Sequence, residues 1–228
     1  NANLVNANLV NANLNWANLE NANLKGVDLR YANLIDANFK RVNLEGANLV
    51  NSKMENINLQ NGNLKDASLF DADLSGGNLI GVILVDAWLW YANLSNANLV
   101  GAKLTLADLR YANLINANLQ NAHLDNTSLF DAKLIDANLS GANFQGTNLR
   151  NSNLSGANLE RTLLCEAIVD SDFTIQDWKG SPIWNKDCFG ICGGDMEITK
   201  DNCGVCGGEN IPNTGNCDCL GVPNGDAV

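Results

Sequence analysis

The side chains able to do chemistry are few. His123 is the one histidine in 228 residues. A Ser-His-Asp or Cys-His relay would have to run through it, because such a relay needs a base that titrates near neutral pH. Nothing around His123 favours that role, so a solvated imidazole is expected. Asp66 and Asp86 stand twenty residues apart, and Asp71 and Asp73 flank Ala72. Carboxylates so placed supply oxygen ligands for Ca²⁺, against the plainer expectation of solvated surface charge. Seven cysteines form the densest reactive group, six of them between Cys188 and Cys219. No phosphate loop, dinucleotide fingerprint or HExxH motif occurs. No catalytic residue, resident metal or cofactor is expected, and the chain reads as a non-enzyme.

What must position these side chains is a repeat. Leu4, Leu9 and Leu14 begin a series of 33 positions that reaches Leu164 every fifth residue without an insertion. Thirty are Leu, and the others are Phe39, Met54 and Phe144. Two residues before each lies a small residue, usually Ala, with Asn or Asp between, so the unit reads A-[N/D]-L-x-x. Five residues turn an α-helix by about 500°, which smears the leucines around it. In a flat strand an odd period sends successive leucines to opposite faces. The chain must therefore turn a corner in every unit. Leu and Ala then point inward, Asn points outward, and coils stack at about 4.8 Å. Identical outward Asn residues are expected to form amide ladders.

A spacing of 20 suggests four sides per coil. The positions that depart from Asn or Asp avoid the class Asn18, Asn38, Asn58 through Asn158. Opposite charges recur at the same spacing, as in Lys25, Glu45 and Lys65, or Glu20 and Lys40. Such neighbours attract across a ladder.

Units such as Ala-Asn-Leu-Val-Asn, Ala-Asp-Leu-Ser-Gly and Ala-Asn-Phe-Gln-Gly resemble the pentapeptide-repeat family over about residues 1–168. The resemblance implies an all-β, right-handed quadrilateral β-helix of about eight coils, roughly 40 Å long. Residues 169–186 are expected to be cap and linker, with Val169, Phe173, Ile175, Trp178, Ile183 and Trp184 covering the last coil. The first coil has no such cap. More chain before it, or end-to-end self-association, would answer that, and the chain reads as a piece of a longer protein.

Residues 187–228 form a small irregular cysteine-rich tail. Cys188, Cys192, Cys203, Cys206, Cys217 and Cys219 lie amid Gly and Asp with no core of their own. Disulfides compete with a zinc site and with free thiols, although Cys-x-Cys is not the usual second half of a zinc site. Cys165 stands apart on the last coil, unpaired or bonded elsewhere. The stretch Asp201–Cys217 resembles the C-G-V-C-G-G segments of secreted thrombospondin-motif metalloproteases and of bacterial surface-protein repeats. No metalloprotease motif is present, so only an extracellular, disulfide-bonded setting carries over.

The net charge of −11 is uneven. Residues 1–164 carry 14 acidic against 11 basic side chains, a net of −3, and residues 165–228 carry 11 against 3, a net of −8. That excludes a basic nucleic-acid footprint. No apolar run approaches the roughly 20 residues of a membrane span.

Residues 81–91, GVILVDAWLWY, break the polar outer pattern. Ile83, Val85, Trp88, Trp90 and Tyr91 take outward positions there, and on the 20-residue register Phe70, Arg110, Tyr111 and Phe130 join them. Trp, Tyr and Arg are common binding anchors. The same residues would equally form self-stabilising ladders. The expectation is a non-catalytic structural or protein-interaction module of a larger extracellular or bacterial cell-surface protein, with an unidentified protein or glycan as partner. A cytoplasmic setting is the runner-up. The family resemblance also implies an alternative, since some members mimic DNA and bind a type II topoisomerase (gyrase). The weak charge of the rod and the cysteine-rich tail depart from that pattern.

Overall fold

The computed structural model describes residues 2–170 and 179–180, all within one compact unit, Asn1–Pro182. The expectations for Phe173, Ile175, Trp178, Ile183 and Trp184, and for Cys188, Cys192, Cys203, Cys206, Cys217 and Cys219, fall outside the described residues.

The corner in each unit is a β-turn. Ala7 N–H donates to Leu4 O at 3.0 Å, and the equivalent bond closes every unit through Ala167 and Leu164. The third turn residue has φ between 54° and 71° at every corner from Asn6 to Glu166. A positive φ there is the mark of a type II turn, which Gly and Asn tolerate best. Asn, Asp and Gly hold most corners. Trp16, Tyr31, Tyr91, Leu106 and Tyr111 hold others at φ of 56° to 62°, where a bulky side chain costs about 1–2 kcal/mol.

Between corners, one residue per unit forms a parallel bridge to the residue 20 positions on, from Asn3–Asn23 to Asn148–Ile168. Four walls result. The bridging residues of the first wall run from Asn3 to Leu163, and those of the second from Asn8 to Ile168. Those of the third run from Asn13 to Asn153, and those of the fourth from Asn18 to Asn158. The fourth wall then gains Lys179, paired to Asn158 across 21 residues. That spacing is one residue longer than the 20 of the other bridges. Gly180, at φ 96°, lies so close that a Cβ on it would meet Glu160 N at 2.5 Å.

Among the described residues no continuous strand forms, and the walls of the expected all-β helix pair through single bridges. The reason is the turn frequency. A corner every five residues leaves one residue per wall to pair, so the ladder runs along the rod and not along the chain.

The unit Asn58–Gly62 shows why Asn is preferred on the walls. Asn58 N donates to Ala37 O at 2.9 Å and Leu59 N to Asn78 O at 2.8 Å. Asn61 N donates to Ile80 O and Gly62 N to Leu59 O, both at 2.9 Å. The remaining donor, Gln60 N, goes to Asn58 Oδ1 at 3.2 Å. The amide side chain thus completes the backbone hydrogen bonding of its own unit. Its Nδ2 meanwhile donates to Asn38 Oδ1 at 3.1 Å, and Asn78 Nδ2 donates to Asn58 Oδ1 at 3.3 Å. This is the expected amide ladder. Asp73 serves as well as Asn, accepting from Ser75 N and from Asn93 Nδ2.

Inside, the leucines at every fifth position from Leu24 to Leu149 are fully buried, with Phe39, Met54 and Phe144 in the same series. Each is worth about 1.5–3 kcal/mol of burial. Leu4, Leu9, Leu14 and Leu19 of the first coil are only half-buried. Where Thr replaces the inward Ala, its hydroxyl finds a carbonyl, as in Thr127 to Leu104 O at 2.7 Å and Thr162 to Leu139 O at 2.8 Å. Cys165 is buried in the last coil and disulfide-bonded.

Charge pairing follows the register in part. Lys25 reaches Glu45 at 2.9 Å as expected. Glu20 pairs with Arg41 at 2.9 Å, not with the Lys40 that lies one coil on in its own file. The longer Arg41 side chain reaches diagonally from the corner, and its hydrogen bond holds the Glu20 carboxyl below its ordinary range.

Candidate interaction surface

The second wall carries the anomaly. Trp88 is a bridging residue there, between Ser68 and Asp108. Trp90 lies two residues on, so both indoles leave the same face. Trp88 is 66% exposed and Trp90 36%. Phe70, Trp88, Trp90 and Asp108 line a recess of about 450 Å³, mostly apolar. Asp108 belongs to no aromatic pattern and was not anticipated. The signal available for it was the Asp108-Leu109-Arg110 triplet, which repeats Asp28-Leu29-Arg30 higher on the same wall.

Arg110 holds this floor together. Its Nε donates to Asp108 Oδ1 at 2.9 Å and its Nη2 to Oδ2 at 2.8 Å, a planar fork. The same guanidinium lies 3.7 Å from the Trp90 ring centroid, a cation–π contact. Arg30 forks onto Asp28 in the same way, at 2.9 and 2.7 Å. Hydrogen bonding from Arg30 holds the Asp28 carboxyl below its ordinary range, and Asp28 in turn raises Arg30.

The corner beside this wall carries an aromatic file. Phe70 meets Tyr91 edge-on at 5.8 Å, and Tyr91 stacks on Tyr111 at 4.9 Å and 7°. Tyr111 meets Phe130 edge-on at 5.9 Å. Phe70 therefore joins the recess to the file. The ladder reading and the contact reading divide between two sets of side chains. Tyr91, Tyr111 and Phe130 satisfy one another, whereas the broad face of Trp88 is left to solvent.

Two expected members lie elsewhere. Ile83 bridges Asn63 and Lys103 on the first wall, and Val85, two residues on, accepts from Asp66 N on that wall. Both are half-buried around one corner from Trp88, at Asp86, and neither lines the recess. Trp16, 73% exposed, stands on another corner, and Tyr31, 55% exposed, turns the same corner as Tyr91 three coils earlier; both escaped the sequence pattern.

His123 is exposed on the first wall between Lys103 and Asn143. Asp66 and Asp86 hold the same corner on adjacent coils, and Lys65 lies 3.9 Å from Asp66. Among the described residues no group of three His, Cys, Asp or Glu side chains is placed to hold a metal ion. Among the same residues no helix is long and apolar enough to cross a membrane.

Comparisons with known proteins agree with this geometry. The pattern described as pentapeptide repeats matches in eight copies, over residues 1–26, 22–61, 47–86, 89–126 and 127–164. No curated protein sequence matches significantly. Among solved structures, the chain is similar to HetL, a pentapeptide repeat protein involved in heterocyst differentiation regulation from the cyanobacterium Nostoc sp. strain PCC 7120. Identity there is 29% and the TM-score 0.50, over 80% of this chain and 89% of that one. It shares its fold with full-length QnrB1, a plasmid-mediated fluoroquinolone resistance protein, at 16% identity and TM-score 0.51, over 74% and 84% of the two chains. Pentapeptide repeat proteins form right-handed quadrilateral β-helices, and no catalytic family matches. A Leu at every fifth position, four walls bridged at 20-residue spacing and a repeat match over most of its length make this chain a member of the pentapeptide repeat family.

Proposed function

We propose that this rod is a non-catalytic interaction module, and that its contact surface is the second wall around Trp88 and Trp90. The observation that carries this reading is the exposed face of Trp88 above a recess whose floor is held by the Asp108–Arg110 fork. Rigid aromatic area with a positioned Arg is what contact anchors consist of. The four-walled rod supplies the rigidity, since each coil is bonded to the next on every side. The partner is a protein or a glycan, and the setting is an extracellular or surface protein. The cysteine-rich tail, Cys188 to Cys219, supports that setting through its resemblance to secreted and surface-protein segments.

The test is pull-down from the surface fraction of the producing cells, with the wild type, W88A/W90A and W16A. Trp16 is a still more exposed Trp on a different corner, so it controls for general stickiness. W88A/W90A is expected to keep the β-rich circular dichroism of the wild type and to lose the captured partner, while W16A keeps it. Equal capture by W88A/W90A would sink the proposal. A gyrase supercoiling assay tests the DNA-mimic alternative, for which the repeat region's net of −3 and its cross-coil ion pairs are an unfavourable starting point.

A further inference from the structure

We infer that the recess beside Trp88 is a carbohydrate subsite that takes a neutral pyranose laid flat on the exposed indole face. This rests on the contact-surface reading above and names the chemistry of its ligand.

Three observations select that chemistry. The first is shape: a broad Trp88 face, 66% exposed, with Phe70 and Trp90 as flanking apolar walls. The C–H face of a pyranose is flat and apolar, and burying it on an indole needs no movement of the site.

The second is charge. Asp108 and Arg110 bind each other through two parallel hydrogen bonds, so their charges cancel at the edge of the recess. A trimethylammonium group would suit the three aromatic walls, but it would meet the Arg110 guanidinium at Trp90. A phosphate or carboxylate would meet Asp108. A neutral ligand incurs neither penalty.

The third is hydrogen bonding. The fork engages Nε and Nη2 of Arg110, and among the described residues no partner is recorded for Nη1. The two Asp108 oxygens are taken up by Arg110, which donates to them from its backbone N, Nε and Nη2, so Nη1 is the polar group left for a ligand. A saccharide hydroxyl oxygen accepts from that donor while the ring lies on the indole.

The experiment uses the full chain. Intrinsic Trp fluorescence and isothermal titration are run with neutral hexasaccharides of β-1,4-glucose, β-1,4-N-acetylglucosamine and α-1,6-mannose, and a printed glycan array extends the range. A proline-rich decapeptide and choline are the competing probes. At least one neutral saccharide is expected to bind. W88A should weaken that saccharide at least tenfold and R110K severalfold, while W16A leaves it unchanged, with all variants melting within a few degrees of the wild type. No binding across the array, or equal binding by W88A, overturns the inference. Trp88-dependent binding of choline or of the proline-rich peptide without any saccharide also overturns it. In that case, loss of partner capture by W88A/W90A in the pull-down would still leave the contact surface standing, so the two ideas fail separately.

Discussion

The guanidinium carbon of Arg110 lies 3.7 Å from the ring centroid of Trp90, on the coil that follows it. The same group forks onto Asp108. Arg30 makes the second contact, with Asp28, but holds no Trp: its neighbours in the file are Val10 and Val50. The wall therefore carries an internal control for the cation–π contact. R110K gives up the planar fork and much of the ring contact. It is expected to cost about 1 kcal/mol more than R30K, read from thermal or urea unfolding. Equal costs would mean that the ring contact adds nothing.

Corner tyrosines offer a second comparison. Tyr31 and Tyr111 both sit at positive φ, but Tyr111 stacks on Tyr91, and no ring contact is recorded for Tyr31 among the described residues. Asn relieves the backbone at either site. Y31N should therefore raise stability by up to about 1 kcal/mol. Y111N should fall about 1 kcal/mol below Y31N, because an aromatic pair is worth about that much beyond its burial. Melting temperatures of the two variants check this directly.

On the fourth wall, N58A removes an acceptor from Gln60 N and both rungs of the amide ladder. A loss of about 1–2 kcal/mol is expected. N58D keeps the acceptor for Gln60 N and for Asn78 Nδ2, as Asp73 does for Ser75 N and Asn93 Nδ2 on the third wall. It should cost less than N58A. The reverse order in denaturant titrations would show that side-chain volume outweighs hydrogen bonding at this position.

Acid titration follows from the Asp28 fork. Hydrogen bonding from Arg30 depresses the Asp28 carboxyl below its ordinary 3.8. A depressed carboxylate contributes stability that is fully present above the ordinary value and is lost as pH falls through the folded value. The window lies below about pH 4, and the contribution of such a surface pair is under about 1 kcal/mol. R30Q should bring the Asp28 carboxyl back toward 3.8 in a carbon NMR titration. An unchanged midpoint would show that the fork does not persist in solution.

The seven cysteines are odd in number, so full oxidation closes three disulfides and leaves one thiol. Reduction should then raise the intact mass by about six hydrogens, with a single alkylated cysteine before reduction. Because Cys165 is disulfide-bonded, alkylation mapping should find it protected until reductant is added. Bound zinc with intact tail thiols would argue against the extracellular setting.

The rod itself was legible in the residues. Every inward position recurs at a fixed offset, and the period of five is incompatible with both regular elements, so Leu24 and Leu29 had to face a common axis. The Lys25–Glu45 pair and the Asn38–Asn58 rung followed from a spacing of 20. The corner conformation was not anticipated, although Asn, Asp and Gly crowd its position, because the two variable residues of the unit were not distinguished. The Glu20–Arg41 pair was missed because register alone says nothing about diagonal reach.

Sequence by itself determined the inward half of this protein, because burial acts on one repeated pattern and each unit repeats the same constraint. Only the tertiary structure decided the outward half. It separated Ile83 and Val85 from Trp88 by a corner, brought Asp108 under the indoles, and left Trp88 open while Tyr91 and Tyr111 closed on each other. Outward side chains meet neighbours twenty or more residues away, and rotamer, length and the angle of the corner choose among them.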